Sequence, residues 1–297
     1  MAAMHMVMTG ATSGFGADAA GRLAAAGHRL TIGARRPDAV DGGWGAAALP
    51  LDLDDFASVD HFAEAIAKGP AIDALILNAG LQTSKLEVGA DGFERTFAVN
   101  QLAHFRLLHR LLPHLAPGTR VILTGSGTHD PEEKTLVTPP AHANAEWLAY
   151  PDRDPTLPKK DQAQAFRAYS ASKLANIMTA RELAHRRPDL AAMSFDPGYV
   201  PWTGLARSSG KIISSLASLI LPLTMKRDRK STIALSGQYL AALAADPAYA
   251  EARGDYWSVR NPALVRIAPS ALARDDAACA KLWDDCEDLL GLAQTAP

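Results

Sequence analysis

The chain is 297 residues long, 48% hydrophobic and 21% charged, with a formal net charge of -2. A balance this close to neutral points away from a nucleic-acid binder. The two cysteines, Cys279 and Cys286, lie near the C-terminus with no histidine close to them, which indicates neither a metal site nor a disulfide framework and fits a reducing cytoplasm.

In chain order, MHMVM, RLTIGA, AAALPL, IDALIL, RVILTG and AAMSF read as strands, and helical periodicity marks residues 15–26, 58–67, 93–112, 166–186 and 231–244. This alternation predicts an α/β protein with a parallel sheet flanked by helices. No linker divides it, so residues 1–297 are expected to form a single domain. The first strand begins almost at Met1 and leaves no room for a cleavable leader, so secretion is not expected. Two segments break the rhythm. Residues 127–165 hold Pro131, Pro139, Pro140, Pro151, Pro155 and Pro158, and a loop that long inside a compact domain is usually functional. Residues 198–230 combine a PG turn, an apolar run at 212–223 and the basic residues Lys226, Arg227, Arg229 and Lys230. The run is shorter than the roughly 20 residues of a spanning helix, so it reads as a lid or a peripheral membrane contact. A last strand at 255–259 and a closing helix at 275–290 follow.

After the first strand comes TGATSGFG, with Gly10, Gly14 and Gly16 opening a helix. Gly10 permits a tight turn, Gly14 lets the backbone approach a pyrophosphate, and the helix start offers N–H groups and a positive dipole end to phosphates. Close strand–helix packing is the other use of such a loop. The second strand runs into Arg35 and Arg36, where an acidic residue would bind the ribose hydroxyls of an unphosphorylated dinucleotide. A guanidinium grips a 2'-phosphate, so NADP(H) is favoured, unless the two arginines are solvated loop charges. Asp52 and Leu53 follow the third strand, where a carboxylate and a backbone amide could read an adenine edge. Asn78, Ala79 and Gly80 close the fourth strand and are small enough to pass beneath a bound cofactor, or form a plain turn.

Carbonyl–alcohol interconversion needs a proton donor beside the substrate oxygen. Tyr169 and Lys173 stand one helical turn apart, and an ammonium there would draw the phenol's pKa from about 10 toward neutrality. An aromatic and a surface charge on an amphipathic helix fit the same spacing. Ser126, just past the fifth strand, could orient a carbonyl or form a turn. Asn100 could hold a water that relays protons to Lys173, or bend its helix by bonding nearby backbone. His129 could reach a substrate or cap a loop, and carries no assignment.

Taken in order, TGATSGFG, NAG, VN at Asn100, Ser126, YSASK and DPG resemble the short-chain dehydrogenase/reductase family over essentially the whole chain. YSASKLAN, PGYVPWTGL and KLWDDCEDLLG are similar to its retinol-dehydrogenase-like and protochlorophyllide-reductase-like branch. The resemblance implies a Rossmann-type, doubly wound parallel sheet with helices on both faces, and a cytoplasmic NADP(H)-dependent enzyme acting on a small-molecule carbonyl or alcohol, as a monomer or homo-oligomer. It implies Tyr169 as acid/base, Lys173 as ribose ligand, Ser126 as carbonyl orienter and Asn100 as the water-holding member. Cofactor contacts would fall on Gly10, Thr12, Ser13, Gly14, Phe15, Gly16, Arg35, Arg36, Asp52, Leu53, Asn78, Ala79, Gly80, Tyr169, Lys173, Pro197, Gly198, Val200 and Thr203. Gly125 departs from the second serine of many members, and 127–165 is far longer than their connection. A nonenzymatic NADPH-sensing module and a reductase acting on a C=C bond are the alternatives.

Overall fold

A computed structural model describes residues 2–40, 45–135, 137–156, 163–201 and 227–293. Thr203, Trp202, the apolar run at 212–223 and Lys226 lie outside the described residues, as does part of the 127–165 segment.

Eight strands form one sheet: β1 (His5–Thr9), β2 (Arg29–Ala34), β3 (Ala47–Pro50), β4 (Ala74–Leu77), β5 (Arg120–Thr124), β6 (Ala191–Asp196), β7 (Asp255–Arg260) and β8 (Ala263–Arg266). Their order is β3-β2-β1-β4-β5-β6-β7-β8, with β1 to β7 parallel and β8 antiparallel. Every residue of β1, β4, β5 and β6 is buried. Successive side chains point to opposite faces, so these strands need apolar residues at nearly every position. Val7, Leu75, Leu77, Val121 and Leu123 serve one core, and Met6, Met8, Ile76 and Ile122 the other.

On the first face lie α2 (Phe56–Ala67), α3, α5 (Ala163–Arg186) and α7 (Asp276–Leu290). Helix α3 joins Arg95–Phe97, a π-turn at Ala98–Leu102 and Ala103–Leu111. The second face carries α1 (Gly14–Ala25) and α6 (Ile233–Ala245). Helix α7 lies against α5 and reaches α3, where Trp283 meets Phe105 edge-on with ring centroids 4.8 Å apart. Strand order reverses between β1 and β4, which places a ligand crevice at their carboxyl ends.

Six strands and the helices of the repeating pattern fall where periodicity places them, within one to three residues at most ends. Three features depart from it. Strand β8 was not expected, because its side chains are mostly exposed and carry no alternating apolar signal. The π-turn interrupts a helix that reads as regular. The proline-rich segment is not a bare loop: it holds α4 (Ala145–Ala149), capped by Asn144 Oδ1 on the Trp147 amide at 3.0 Å, and short turns at Pro131–Glu133 and Pro151–Arg153. A five-residue helix is too short for a period to register. Among the described residues no helix is long and apolar enough to cross a membrane.

Candidate active site

At the end of β1 the backbone conformation selects glycine. Gly10 and Gly14 have φ of 70° and 60°. A Cβ on Gly10 would lie 2.7 Å from the Ala79 backbone, and one on Gly16 would lie 2.1 Å from the Gly10 carbonyl oxygen. The helix that follows starts at the exposed Ser13, whose side chain caps nothing, and its first turn holds no acid. Helix α2 differs: Asp55 accepts from the amides of Ala57 and Ser58 at 2.9 and 3.3 Å. The glycine cradle and the uncapped α1 dipole fit a dinucleotide diphosphate.

Thr12 is exposed beside Ser13, whereas the Phe15 ring turns inward onto Phe195, leaving only its backbone toward the cradle. Arg35 and Arg36 are exposed past β2, and neither forms an ion pair with another described residue. The Asp52 carboxylate accepts from the Asp54 amide at 3.1 Å and stays exposed, while the Leu53 side chain is in the core.

The strand ends are wired together through Thr9, His104, Thr124 and Asn176, which sequence reading did not single out. Thr9 Oγ1 accepts from the amides of Asn78 and Ala79 at 3.0 and 3.1 Å. With both lone pairs taken, its proton goes to His104 Nε2 at 2.9 Å. His104 therefore carries its proton on Nδ1 and donates it to the Asn100 carbonyl at 3.0 Å. Burial lowers the pKa of this imidazole to about 4 and keeps it neutral. Asn78 donates from Nδ2 to the Gly10 carbonyl at 3.1 Å and accepts from Thr124 Oγ1 at 3.0 Å. The Thr124 carbonyl accepts from Lys173 Nζ at 3.1 Å and from Asn176 Nδ2 at 2.9 Å. A hydrogen-bonded path thus runs from Lys173 to the glycine loop.

Tyr169 and Lys173 are buried on α5, with Nζ 5.7 Å from the centroid of the phenol ring. Ser126 is near enough to the Tyr169 hydroxyl to act on its pKa. Ser126 Oγ accepts from Thr128 N and Oγ1 at 3.2 and 3.1 Å, so its own proton is left to point at the phenol or a substrate. The expected lowering of the Tyr169 pKa is reversed in this structure. Burial raises it most and the Asp196 carboxylate adds to the rise, while Ser126 works the other way. Lys173 spends its bond on Thr124, and burial lowers its pKa to about 8.

Asn100 is held by protein groups. Its Oδ1 accepts from Leu81 N at 2.8 Å, and its Nδ2 donates to Leu81 O at 2.9 Å and to Ser172 Oγ at 3.0 Å. The amide clamps a backbone and anchors the π-turn, with a lone pair of Oδ1 still open to a further donor. It remains close to the chemistry, because a Cβ on Gly80 would stand 3.2 Å from Asn100 Oδ1 and 3.3 Å from Lys173 Nζ. His129 caps a loop: Nδ1 donates to Ser126 O at 2.7 Å and Nε2 accepts from Ser270 N at 3.0 Å. Gly125 has a physical reason as well, since a Cβ there would come within 2.9 Å of Ile177.

After β6, Pro197 O accepts from Ser236 Oγ at 2.7 Å, Gly198 turns with φ of 69°, and Val200 is buried. Glu133, within the proline-rich segment, pairs with both Arg229 and Arg260, tying that segment to the residues after 226 and to β7.

The family model for short chain dehydrogenase matches residues 4–134. The chloroplastic protochlorophyllide reductase of Chlamydomonas reinhardtii is 33% identical over 315 residues, spanning 97% of this chain and 78% of that protein. The chain belongs to the short chain dehydrogenase family. Another relative, the Streptomyces sp. (strain C5) protein provisionally named daunorubicin C-13 ketoreductase DnrU, is 32% identical over 94% of this chain and 90% of its own length. In fold the chain is similar to a short chain dehydrogenase from Burkholderia cenocepacia J2315 solved in complex with NADP, with a TM-score of 0.61 and 21% identity over 86% of this chain and 96% of that one. The branch resemblance carried by YSASKLAN is borne out by the first of these relatives.

Proposed function

We propose that the protein is an NADP(H)-dependent oxidoreductase that interconverts a carbonyl and an alcohol on a hydrophobic or aromatic small molecule, with Tyr169 as acid/base. The observation that carries this reading is the pairing of a buried Tyr169 with a buried Lys173 one helical turn on, Nζ 5.7 Å from the phenol ring centroid, on the helix that packs against the strand ending before Ser126. The uncapped start of α1 opens on the carboxyl edge of the same sheet.

When bound, NADP(H) supplies or accepts the hydride at its nicotinamide. The backbone from Gly10 to Gly16, with Thr12 and Ser13, holds the diphosphate, and Arg35 with Arg36 holds the 2'-phosphate. Asp52 and the Leu53 amide face the adenine, Asn78, Ala79 and Gly80 form the floor, and Lys173 binds the ribose. Pro197, Gly198 and Val200 line the nicotinamide side. Ser126 donates to the substrate oxygen, and Tyr169 gives that oxygen a proton in reduction or takes one in oxidation. Asn100 fixes Leu81 and the π-turn beneath Lys173. NADP(H) is favoured by the arginines and is the ligand of the Burkholderia structure. A carbonyl substrate is favoured by the ketoreductase name of the Streptomyces relative.

The substrate rim is assigned to residues 127–165 and 198–230 of a single 1–297 domain. Phe166, one turn before Tyr169 on α5, is exposed, and Leu86, Trp147, Leu148 and Pro151 line a small apolar cavity beside Ala168. Such surface favours a lipophilic ligand. A C=C reductase is the second reading, favoured by the protochlorophyllide reductase likeness. Against it, both cysteines are buried in α7 and offer no thiol to a substrate.

A panel of hydrophobic aldehydes, ketones and alcohols, assayed with NADPH and NADP+, tests the reading. Tyr169→Phe is expected to lower turnover of every accepted carbonyl by about a hundredfold or more. Unchanged turnover would sink it.

A further inference from the structure

His104, on helix α3 just past the π-turn at Ala98–Leu102, is fully buried. In a regular helix the Asn100 carbonyl would bond the backbone amide of residue 104. The π-turn widens the ladder, with Ala103 N donating to Ala98 O, and the His104 side chain takes the Asn100 carbonyl through Nδ1 at 3.0 Å. Its Nε2 accepts the Thr9 hydroxyl proton at 2.9 Å.

These two bonds close a ring around the end of β4. Thr9 Oγ1 holds the amides of Asn78 and Ala79, and the Asn100 side chain holds both backbone groups of Leu81. The chain from Ala79 to Leu81 completes the circuit. Gly80 lies within it, at the point where an added Cβ would stand 3.2 Å from Asn100 Oδ1 and 3.3 Å from Lys173 Nζ. The ring also reaches the helix of Tyr169. Asn100 Nδ2 donates to Ser172 Oγ at 3.0 Å, and that hydroxyl donates to the Tyr169 carbonyl at 2.7 Å.

Closing the ring at position 104 requires one donor and one acceptor on a single side chain, which a neutral imidazole supplies. Filling the same volume with an apolar ring would avoid the cost of burying polar atoms, so the histidine calls for a role that its two bonds perform. His5, 3% exposed at the amino end of β1, makes a bridge of the same kind, to Thr31 Oγ1 at 2.9 Å and Ala71 O at 3.0 Å. That bridge touches none of the residues assigned to cofactor or substrate.

We propose that His104 is a positioning residue that holds the Asn78 to Leu81 floor in register with the Asn100 π-turn, so that cofactor binding and the placement of Lys173 and Tyr169 depend on one ring of hydrogen bonds. This rests on the reading of that floor as the cofactor's and of Tyr169 as acid/base. The Thr9 bond acts on the floor, and through it on NADPH affinity. The Asn100 bond acts on the side of the ring that meets Lys173 and the Tyr169 backbone, and through it on turnover. His104 transfers no proton in this role.

The test compares His104→Phe, His104→Gln and His5→Phe by NADPH titration calorimetry, turnover of an accepted carbonyl, and chemical denaturation. His104→Phe breaks both bonds and is expected to weaken NADPH about tenfold and to lower kcat about tenfold or more. Glutamine can accept from Thr9 through its amide oxygen, so His104→Gln should regain most of the NADPH affinity while kcat stays low, and it serves if the phenylalanine variant does not fold. His5→Phe should lose stability yet keep wild-type affinity and kcat. Thr9→Val combined with His104→Phe should weaken NADPH little more than the larger single change, because both break the same ring. The proposal is overturned if the folded His104 variants keep both wild-type values, if His5→Phe lowers both as far, or if the double variant is fully additive. A failure of Tyr169 as acid/base would show separately, as full turnover in Tyr169→Phe, with the loss of NADPH affinity in His104→Phe still present.

Discussion

Helices α1 and α2 are each 12 residues long and each follows a parallel strand, yet their starts are built oppositely. Asp55 closes α2 on itself by taking two of its free amides. At α1 an extended Ser13 takes none, and three glycines bring the chain close enough that no Cβ would fit at Gly10 or Gly16. Helix α3 is closed like α2, with Glu94 accepting from Thr96 N and Phe97 N at 3.1 and 2.7 Å. The difference teaches that a helix start serves stability when its own side chain fills it and binding when the fold leaves it open.

The largest effect should come from closing the open start by bulk. Gly16→Ala is expected to weaken NADPH binding by about a hundredfold and to cost on the order of 1–3 kcal/mol of stability, measured by titration calorimetry and chemical denaturation. Wild-type affinity in that variant would mean the loop does not hold the cofactor.

Next is the closed start at α3. Burial raises the Glu94 pKa to about 7 from an unfolded value near 4.5. Between these values the folded state binds more protons, so its contribution is full below 4.5 and is lost as pH rises through 7. Glu94→Gln stays neutral and should gain on wild type by on the order of 2–3 kcal/mol between pH 5 and pH 8. Parallel stability curves for the two proteins would show that the carboxyl does not titrate in this window.

Arg35→Ala should follow, weakening NADPH about tenfold or more while changing NADH little, because only the former carries the 2'-phosphate. Equal losses for the two cofactors would remove Arg35 from the site. The smallest pair of effects exchanges the roles of the two starts. Asp55→Ala should cost about 1 kcal/mol of stability with no change in cofactor affinity. Ser13→Asp should stabilise α1 slightly and weaken NADPH by charge repulsion at its phosphates. If both substitutions altered affinity alike, the contrast between the helices would not hold.

The strand pattern, the tight glycine turn and the placement of Ser126, Tyr169 and Lys173 near one another were legible in the sequence because each depends on local spacing or on order along the chain. The His104 link to Thr9, the Asn78 bridge to Thr124 and the Glu94 cap were not, since most of their partners come together only through the sheet or the helix ends. Asn100 shows the limit from the other side. Its position was readable, but its amide clamps Leu81, 19 residues away, a contact only the fold creates.

The sequence by itself determined the alternation of strand and helix, the glycine cradle and the one-turn spacing of Tyr169 and Lys173, because backbone sterics and one helical turn fix these locally. Tertiary structure alone decided the state of that pair. Tyr169 is raised, not lowered, because burial and the Asp196 carboxylate act on it across the fold, while Lys173 is spent on the carbonyl of Thr124. Electrostatic balance depends on distance in space and on excluded water, and neither is written in residue order.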